Sequence, residues 1–373
     1  MTTSPPAAPP SIVPLRYEPA FEVPEEDEAE TTQSLIDTLT RIGETVRKDE
    51  GHAHRGVHAK SHGLLLAQLD VLPGLPDLLA QGLFAQPGSY PVAMRISTVP
   101  GDLLDDAVST PRGLAVKVVG VPGERASTSE GATTQDFVMV NGPVFSAPNA
   151  KQFLKTLKLL ASTTDKAPGL KKVLAATLRG VESLIEKVGG ESATLKAMGG
   201  HPATHVLGET YYSQVPMRYG PYMAKMSIAP LSPSLTTLID APVDLDGKPD
   251  GLRQAVVDHF RLQGGTWEVR VQLCTNLDTM PIEDASVQWP EAESPFITVA
   301  HITAQPQVAW SEARSAAVDD GMAFSPWHTL AAHQPIGSIM RVRKAVYEAS
   351  ARFRSQHNAT PVQEPSTLES LPA

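Results

Sequence analysis

The sequence predicts an α+β fold built around an eight-stranded antiparallel β-barrel. Eight segments alternate apolar and polar residues as strands do, four on each side of a long stretch with helical periodicity. Breakers such as Pro73-Gly74 and Pro100-Gly101 separate the early segments, which is typical of short connections between antiparallel strands. Eight such strands can close into a barrel that holds either a side-chain core or one flat ligand.

The predicted elements follow one another in a simple order. Apolar residues recur at helical spacing over residues 31–50, which predicts a helix before the barrel. The same spacing predicts a helical insertion at about 147–200, a helix at Gly251–Leu262 and a last helix at about 336–354. The eight predicted strands are Gly63–Val71, Tyr90–Thr98, Gly113–Gly120, Phe137–Val140, His205–Tyr212, Tyr222–Ala229, Thr266–Thr275 and Phe296–Thr303.

The chain is predicted to form one large domain between two loose ends. Its 373 residues can bury a sizeable core. Residues 1–30 are rich in proline and acidic residues and predict a flexible arm, and residues 358–373 predict a flexible tail. Residues 31–357 are then the barrel domain with its insertion and flanking helices.

Composition narrows the class of function. The chain carries 31 basic and 41 acidic residues, a net charge of −10, which argues against a nucleic-acid surface. Its single cysteine, Cys274, excludes an internal disulfide, so nothing demands an oxidising compartment. The N-terminus lacks the features of a secretory signal, and no run of 18 apolar residues predicts a membrane span. We therefore expect a cytoplasmic protein.

Arg343 and Tyr347 fall one turn apart on the same face of the predicted last helix. A guanidinium at that distance favours the charged form of a phenol, and tyrosinate is the protein ligand of iron in one type of haem site. Arg354, seven residues further on, could reach an anionic group at the rim of such a ligand. An ordinary ion pair on an amphipathic surface helix explains the same pattern, so both interpretations stay open here.

A second concentrated signal is a run of four histidines within eleven residues. They are His52, His54, His58 and His62. His52 and His54 could chelate a metal ion from a strand. His58, at the start of the first predicted strand, could instead move a proton between the two oxygens of a peroxide, because an unperturbed imidazole titrates near neutrality. The residues alone leave both interpretations open.

Four motifs in order along the chain resemble those of the catalase family. Arg55-Gly-Val-His58-Ala-Lys-Ser-His-Gly63 is similar to the catalase segment that carries the distal catalytic histidine. Arg95-Ile-Ser-Thr-Val-Pro-Gly101 and Pro111-Arg112-Gly113-Leu-Ala-Val-Lys117 resemble the next strands of that family. Arg343-x-x-x-Tyr347 matches the arginine and tyrosine of its haem-ligand signature. The resemblance runs in patches from about residue 52 to 357 and is greatest to the shorter, catalase-related haem proteins.

The resemblance implies a set of site residues around haem b. Tyr347 would be the proximal iron ligand, Arg343 its charge partner and His58 the distal base. The remaining haem-binding residues would be arginines that pair with the propionates and side chains that line the haem face. These are Arg55, Arg95, Arg354, Val57 and Phe153.

The run Asp136-Phe-Val-Met-Val-Asn141-Gly-Pro143 departs from the family pattern. Aligned without gaps, Val140 falls on the catalytic asparagine of catalases and Asn141 on the residue after it. A bulge or a shifted register could still turn the Asn141 amide towards the distal cavity, because side chains alternate along a strand. We expect Asn141 to serve as the distal amide.

These residues imply a haem-dependent enzyme that consumes hydrogen peroxide or an organic hydroperoxide, either as a catalase or as a peroxidase with an organic reductant. Two alternatives remain. One is a catalase-related enzyme that rearranges a fatty-acid hydroperoxide, as allene oxide synthases do, and the other is a haem-binding protein without activity. The resemblance also favours a homo-oligomer, with a dimer expected first.

Overall fold

In the computed structural model, eight antiparallel strands close into a barrel, as the sequence predicts. The structure describes residues 13–126, 129, 131–164 and 202–372, and nine strands lie in these ranges. They are β1 (Ser61–Val71), β2 (Ser89–Thr98), β3 (Arg112–Val119), β4 (Thr134–Val140), β5 (Tyr211–Tyr212), β6 (Met217–Tyr219), β7 (Tyr222–Pro230), β8 (Gly265–Leu273) and β9 (Ile297–Ala304). The strands are hydrogen-bonded in the order β5-β4-β3-β2-β1-β9-β8-β7-β6. β5 also pairs with β7, and this pairing closes eight of the nine strands into the barrel, with β6 at the edge.

Helices lie before the barrel, between its strands and after it. In the described ranges the α-helices are α1 (Glu28–Glu50), α2 (Ala150–Thr164), α3 (Pro233–Thr236), α4 (Gly251–Leu262), α5 (Glu312–Ser315) and α6 (Ser338–His357). The helix predicted at about 336–354 is α6. The predicted insertion at about 147–200 begins as α2, and its part from residue 165 to 200 lies outside the described residues. No helix in the part of the chain that the structure describes is long and apolar enough to cross a bilayer.

Side chains fill the inside of the barrel. On β4, Phe137 and Met139 belong to the central apolar core, whereas Val138 and Val140 lie on the outer face. This alternation follows from the two-residue period of a strand. Trp267 on β8 is among the largest fully buried side chains of the core. Because side chains fill the core, a flat ligand has to bind outside the barrel.

Helices α1, α2 and α6 pack together and bury a shared apolar cluster. It includes Leu35, Ile42 and Val46 of α1, Leu154 and Leu157 of α2, and Ile339 and Val342 of α6. Gly43 allows α1 and α6 to approach, since a Cβ there would lie 3.1 Å from the Phe353 ring. α1 ends at Gly51, whose φ of 71° is the left-handed conformation that glycine adopts readily at a helix end.

The fifth strand is shorter than predicted. Of the expected strand His205–Tyr212, only Tyr211–Tyr212 pairs with β4 and β7. Val206–Gly208 forms a 3₁₀ turn, in which Nδ1 of His205 accepts a hydrogen bond from the Leu207 N–H at 3.2 Å. A side chain that bonds the nearby backbone competes with the sheet ladder, and this explains the shorter strand.

The predicted arm and tail have partners where the structure describes them. The Leu15 N–H donates to the Cys274 carbonyl at 2.8 Å. In the tail, Leu368 is buried, and Glu364 forms an ion pair with Lys117 at 2.6 Å. These contacts attach both segments to the barrel, and their flexibility stays a prediction.

Glu364 completes a buried ion network on the outer face of the barrel. The fully buried Lys117 ammonium contacts Glu364 and both carboxylate oxygens of Asp136, the latter at 2.8 Å, and His328 Nδ1 lies 3.1 Å from Glu364. Burial alone would raise the pKa of Glu364, but His328 and Lys117 lower it to about 2. Burial would likewise lower the pKa of His328, but Asp136 and Glu364 raise it to about 9.

We expect Glu364→Gln to reduce the free energy of unfolding most between pH 4.5 and pH 6.5. These limits are the ordinary pKa values of glutamate and histidine. The Glu364 contribution is present above 4.5 and is lost as the pH falls towards about 2. The His328 contribution is present below 6.5 and is lost as the pH rises through about 9. Within the window the loss should be about 1–3 kcal/mol, since a buried ammonium keeps fewer partners.

Thermal denaturation of wild type and variant across this pH range measures the effect. Glu369→Gln, on an exposed part of the same tail, is the matched control. A Glu364→Gln effect that stays constant from strongly acidic to alkaline pH would contradict the ion network.

Candidate functional site

A cavity lies between the outer face of the barrel and helices α1 and α6. It has two adjoining parts that share several of their lining residues. We call the first the arginine part, because Arg55, Arg95 and Arg354 line it. The second is the valine part, which Val99, Val140 and Val342 line. The residues that border both parts are Leu39, Val57, His58, Val138, Val346 and Tyr347.

All of the site residues expected from the sequence border this cavity. His58, Val57 and Tyr347 border both of its parts. Arg55, Arg95 and Arg354 border the arginine part, and Asn141, Phe153 and Arg343 border the valine part. Residues almost 300 positions apart in the sequence, such as His58 and Tyr347, are therefore brought to one site by the fold.

His58 is held in an unusual backbone conformation on the barrel side of the cavity. Its φ is 55°, in the left-handed region that costs a non-glycine residue roughly 1 kcal/mol or more. The His58 N–H donates to the Val99 carbonyl at 2.7 Å, and Nδ1 lies 3.0 Å from the Ser97 hydroxyl. These two bonds fix the ring and leave Nε2 as the nitrogen that can face a ligand.

Gly113 on β3 lies directly behind the His58 ring. A Cβ at this position would lie 2.4 Å from Cε1 and 2.5 Å from Nδ1 of His58, closer than real Cβ contacts. The glycine in the Pro111-Arg112-Gly113 motif is therefore needed for the approach of the ring to the strand.

The electrostatic surroundings keep His58 neutral. Burial lowers the pKa of His58 to about 3, and the positive charges of Arg95, Arg343 and Arg55 act in the same direction. At neutral pH the imidazole is therefore uncharged and can accept a proton. The sequence suggested a histidine with a pKa near neutrality, and burial, together with the three arginines, explains the difference.

Tyr347 lies on the helix side of the same cavity. Nη2 of Arg343 donates to the Tyr347 hydroxyl at 2.6 Å, and the guanidinium carbon lies 5.1 Å from the centre of the tyrosine ring. Such a charge-assisted hydrogen bond is stronger than one between two neutral groups. The pair is partly buried and borders the cavity, so the surface ion pair that the sequence left open is not the arrangement found.

The three arginines converge at one end of the cavity, on a residue that the sequence did not single out. Arg55 Nη1 and Arg95 Nε both donate to Asp319 Oδ1, at 2.9 and 2.6 Å. Arg354 Nη1 donates to the Asp319 carbonyl at 2.5 Å. Burial lowers the pKa of Arg354 to about 10, and Arg95 adds to this effect. Burial alone would raise the pKa of Asp319, yet Arg95 and Arg55 hold it well below its usual range.

Val140, not Asn141, lies on the outer face of β4 that borders the cavity. The pairing of β3 with β4 runs without a bulge from Val119–Thr134 to Gly113–Val140, so the register shift considered from the sequence is not present there. Asn141 Oδ1 accepts from the Arg112 N–H at 2.8 Å, and Nδ2 donates to Glu209 at 3.0 Å. Asn141 borders the valine part, but its role as distal amide stays a prediction.

His52 and His54 do not form a metal site in the part of the chain that the structure describes. His52 Nε2 lies 2.9 Å from an Asp320 carboxylate oxygen and 3.0 Å from the Asn358 amide nitrogen. The group of three possible metal ligands found in the described ranges contains neither histidine, and consists of Asp136, His328 and Glu364. Lys117 already contacts both carboxylates of that group.

The donor set of the cavity fits a haem better than a bare metal ion. Arg354 Nε is buried and finds no hydrogen-bond acceptor among the described residues, which suits an anionic group at that end. The walls that border both parts are mainly apolar, as the faces of a flat porphyrin require. Tyr347 could supply one oxygen ligand, and no carboxylate side chain borders either described part of the cavity.

Comparison with solved structures shows that the chain has the catalase fold. A fungal catalase aligns over 87% of this chain and 70% of its own, with 17% identity and a TM-score of 0.58. A bacterial catalase aligns over 87% and 63%, with 16% identity, and catalase A from Saccharomyces cerevisiae over 98% and 75%, with 19% identity, both at 0.58. At these identities the likeness concerns the fold alone. No family model and no curated protein sequence matches the chain.

Gly113→Ala should disturb His58 specifically. The added methyl group overlaps the imidazole, so we expect a loss of about 1–3 kcal/mol in stability, as is usual for overpacking. Thermal denaturation measures it. Gly142→Ala is the control, because a Cβ there comes no closer than 3.8 Å to its nearest neighbour. Equal effects of the two substitutions would show that the His58 contact is not tight.

Proposed function

We propose that this protein is a haem-dependent oxidoreductase that consumes peroxides, with haem b bound in the cavity between the barrel and helices α1 and α6. One observation carries the proposal: His58 and the Arg343–Tyr347 pair border a single cavity whose end is lined by three arginines. The catalase fold supports it as an analogy. The cofactor would supply the redox chemistry, and the chain would supply an iron ligand, a proton acceptor and the shape of the pocket.

Tyr347 would hold the iron through its phenolate oxygen. Arg343 stabilises the negative charge on that oxygen by donating a hydrogen bond to it. Arg55, Arg95 and Arg354 would pair with the two propionates, because their positive charges meet at the arginine part of the cavity. Val57 and Phe153 contribute apolar surface to the walls.

His58 would move the peroxide proton. Its neutral imidazole would accept a proton at Nε2 from one oxygen of the peroxide and return it to the other oxygen, which would leave as water or as an alcohol. Ser97 keeps the ring in place through Nδ1. With the Nδ1 proton donated to the serine hydroxyl, Nε2 is free to accept.

The apolar wall around His58 favours organic hydroperoxides over hydrogen peroxide. Val140 occupies the outer face of β4 beside the cavity, and Asn141 already has partners in Arg112 and Glu209. Gln214, another amide of the valine part, donates to the carbonyl of Gly142 at 3.0 Å.

In the peroxidase reaction, one hydroperoxide and two equivalents of a one-electron aromatic donor give one alcohol, one water and two oxidised donors.

Addition of haem to the purified chain tests the proposal. We expect a Soret absorption band and peroxide consumption, and we expect His58→Ala to keep the band while turnover falls by about 10²–10⁴-fold. Tyr347→Phe should instead change the band, because it removes the proposed iron ligand. Absence of a Soret band in the wild type would refute the function, and full turnover in His58→Ala would refute only the proton-transfer role.

Val140→Asn should shift the reaction towards hydrogen peroxide. The new amide can hydrogen-bond a small peroxide on the side of the cavity where the wild type presents methyl groups. Oxygen release and oxidation of an aromatic donor are measured on the same haem-loaded sample, with hydrogen peroxide and an alkyl hydroperoxide. Val138→Asn, two residues away on the same face, is the positional control. Dominant oxygen release by the wild type with negligible donor oxidation would exclude the peroxidase reaction.

A further inference from the structure

One acidic residue contacts all three arginines of the cavity. Asp319 is the next-to-last residue of the π-helical turn Ala316–Asp320, which follows α5. Its carboxylate oxygen Oδ1 accepts from Arg55 and Arg95, and its main-chain carbonyl accepts from Arg354 and from Arg55. Asp319 is thus the shared anchor of the arginine part.

The other carboxylate oxygen of Asp319 is fixed as well. Oδ2 accepts from the hydroxyl groups of Ser61 and Ser315, at 2.8 and 2.7 Å. Four donors therefore surround the two oxygens, so the carboxylate stays in place and stays charged. Such a network resists displacement of the carboxylate by another anion.

The charges at this end of the cavity do not cancel. Arg55, Arg95 and Arg354 bring three positive charges, and the Asp319 carboxylate brings one negative charge. The neighbouring Asp320 carboxylate is bonded to His52 and to the Asn358 amide, and its negative charge also acts on Arg55 and Arg354. The three arginines and Asp319 together carry a balance of +2, and Asp320 offsets part of it without cancelling it.

We propose that Asp319 is a built-in counter-ion, which stabilises the buried arginines and at the same time limits how strongly they attract the carboxylates of a ligand. The inference rests on the proposed function, because the ligand carboxylates considered are the haem propionates. The stabilising role follows from the cost of burying like charges side by side. The limiting role follows because the fixed carboxylate repels any second anion at the same end of the cavity. Asp319 is a positioning residue and does not touch reacting atoms.

Asp319→Asn tests both roles, because it removes the negative charge and changes little else. The amide has nearly the same shape as the carboxylate, and its oxygen can still accept from Arg55 and Arg95. Two ligands are compared, haem and haem dimethyl ester, whose propionates carry no charge. We expect the variant without haem to unfold at a lower temperature than wild type. The affinity ratio of haem to its ester should rise by roughly tenfold or more, because one repulsive charge is gone. Absorption titrations give both affinities.

Ser315→Ala is the matched control. It removes one hydrogen bond to Asp319 Oδ2 and leaves the negative charge in place. We therefore expect a modestly lower unfolding temperature and an unchanged affinity ratio. A rise of the ratio in Ser315→Ala equal to that in Asp319→Asn would overturn the assignment, because the effect would then come from loosened packing.

The double variant Arg55→Gln with Asp319→Asn restores the balance of +2. It should recover most of the lost unfolding temperature and return the affinity ratio to the wild-type range, even where Asp319→Asn alone fails to fold. A double variant that is also unfolded, or an affinity ratio in Asp319→Asn no higher than wild type, would overturn the counter-ion role. If no variant and no wild type shows a Soret band with haem, the proposed function fails instead.

Discussion

The filled interior of the β-barrel is the constraint on which the rest of the structure depends. Because side chains such as Phe137, Met139 and Trp267 occupy the inside, a flat ligand has to bind on the outer face. That face would be open to solvent without the helices, and α1 and α6 cover it. One of these two helices, α6, also carries Tyr347, so the same helix encloses the cavity and brings the proposed iron ligand to it.

Local patterns explain why much of this arrangement could be predicted from the sequence. A strand shows its two-residue period wherever one face is buried. Most predicted strands therefore begin and end within a few residues of the observed ones. Arg343 and Tyr347 needed only the one-turn spacing of a helix, and the hydrogen bond between them follows from it. His58 and Gly113 belong to short motifs, although their contact explains the glycine only once the strands are paired.

Long-range contacts explain what the sequence could not show. Asp319 lies 224 residues from Arg95, and no spacing in the chain connects the two, so its role appears only in the folded structure. The shortened fifth strand depends on a bond between His205 and its own backbone. The position of Asn141 depends on Glu209, which lies beyond a segment that the structure does not describe. In each of these cases a partner distant in sequence, or a local bond, decides the outcome.

The charges of the arginine part connect ligand binding to the chemistry of His58. Arg95 and Arg55, which would bind the anionic groups of a ligand, also help to keep the imidazole neutral. Asp319 offsets only part of their charge. An anion bound at the same end would offset more of it and would act to raise the pKa of His58, while burial, the largest cause of the low pKa, would remain. A base whose pKa moves towards the working pH transfers protons more effectively. The arginine part therefore couples the anionic end of the ligand to the basicity of the histidine beside it.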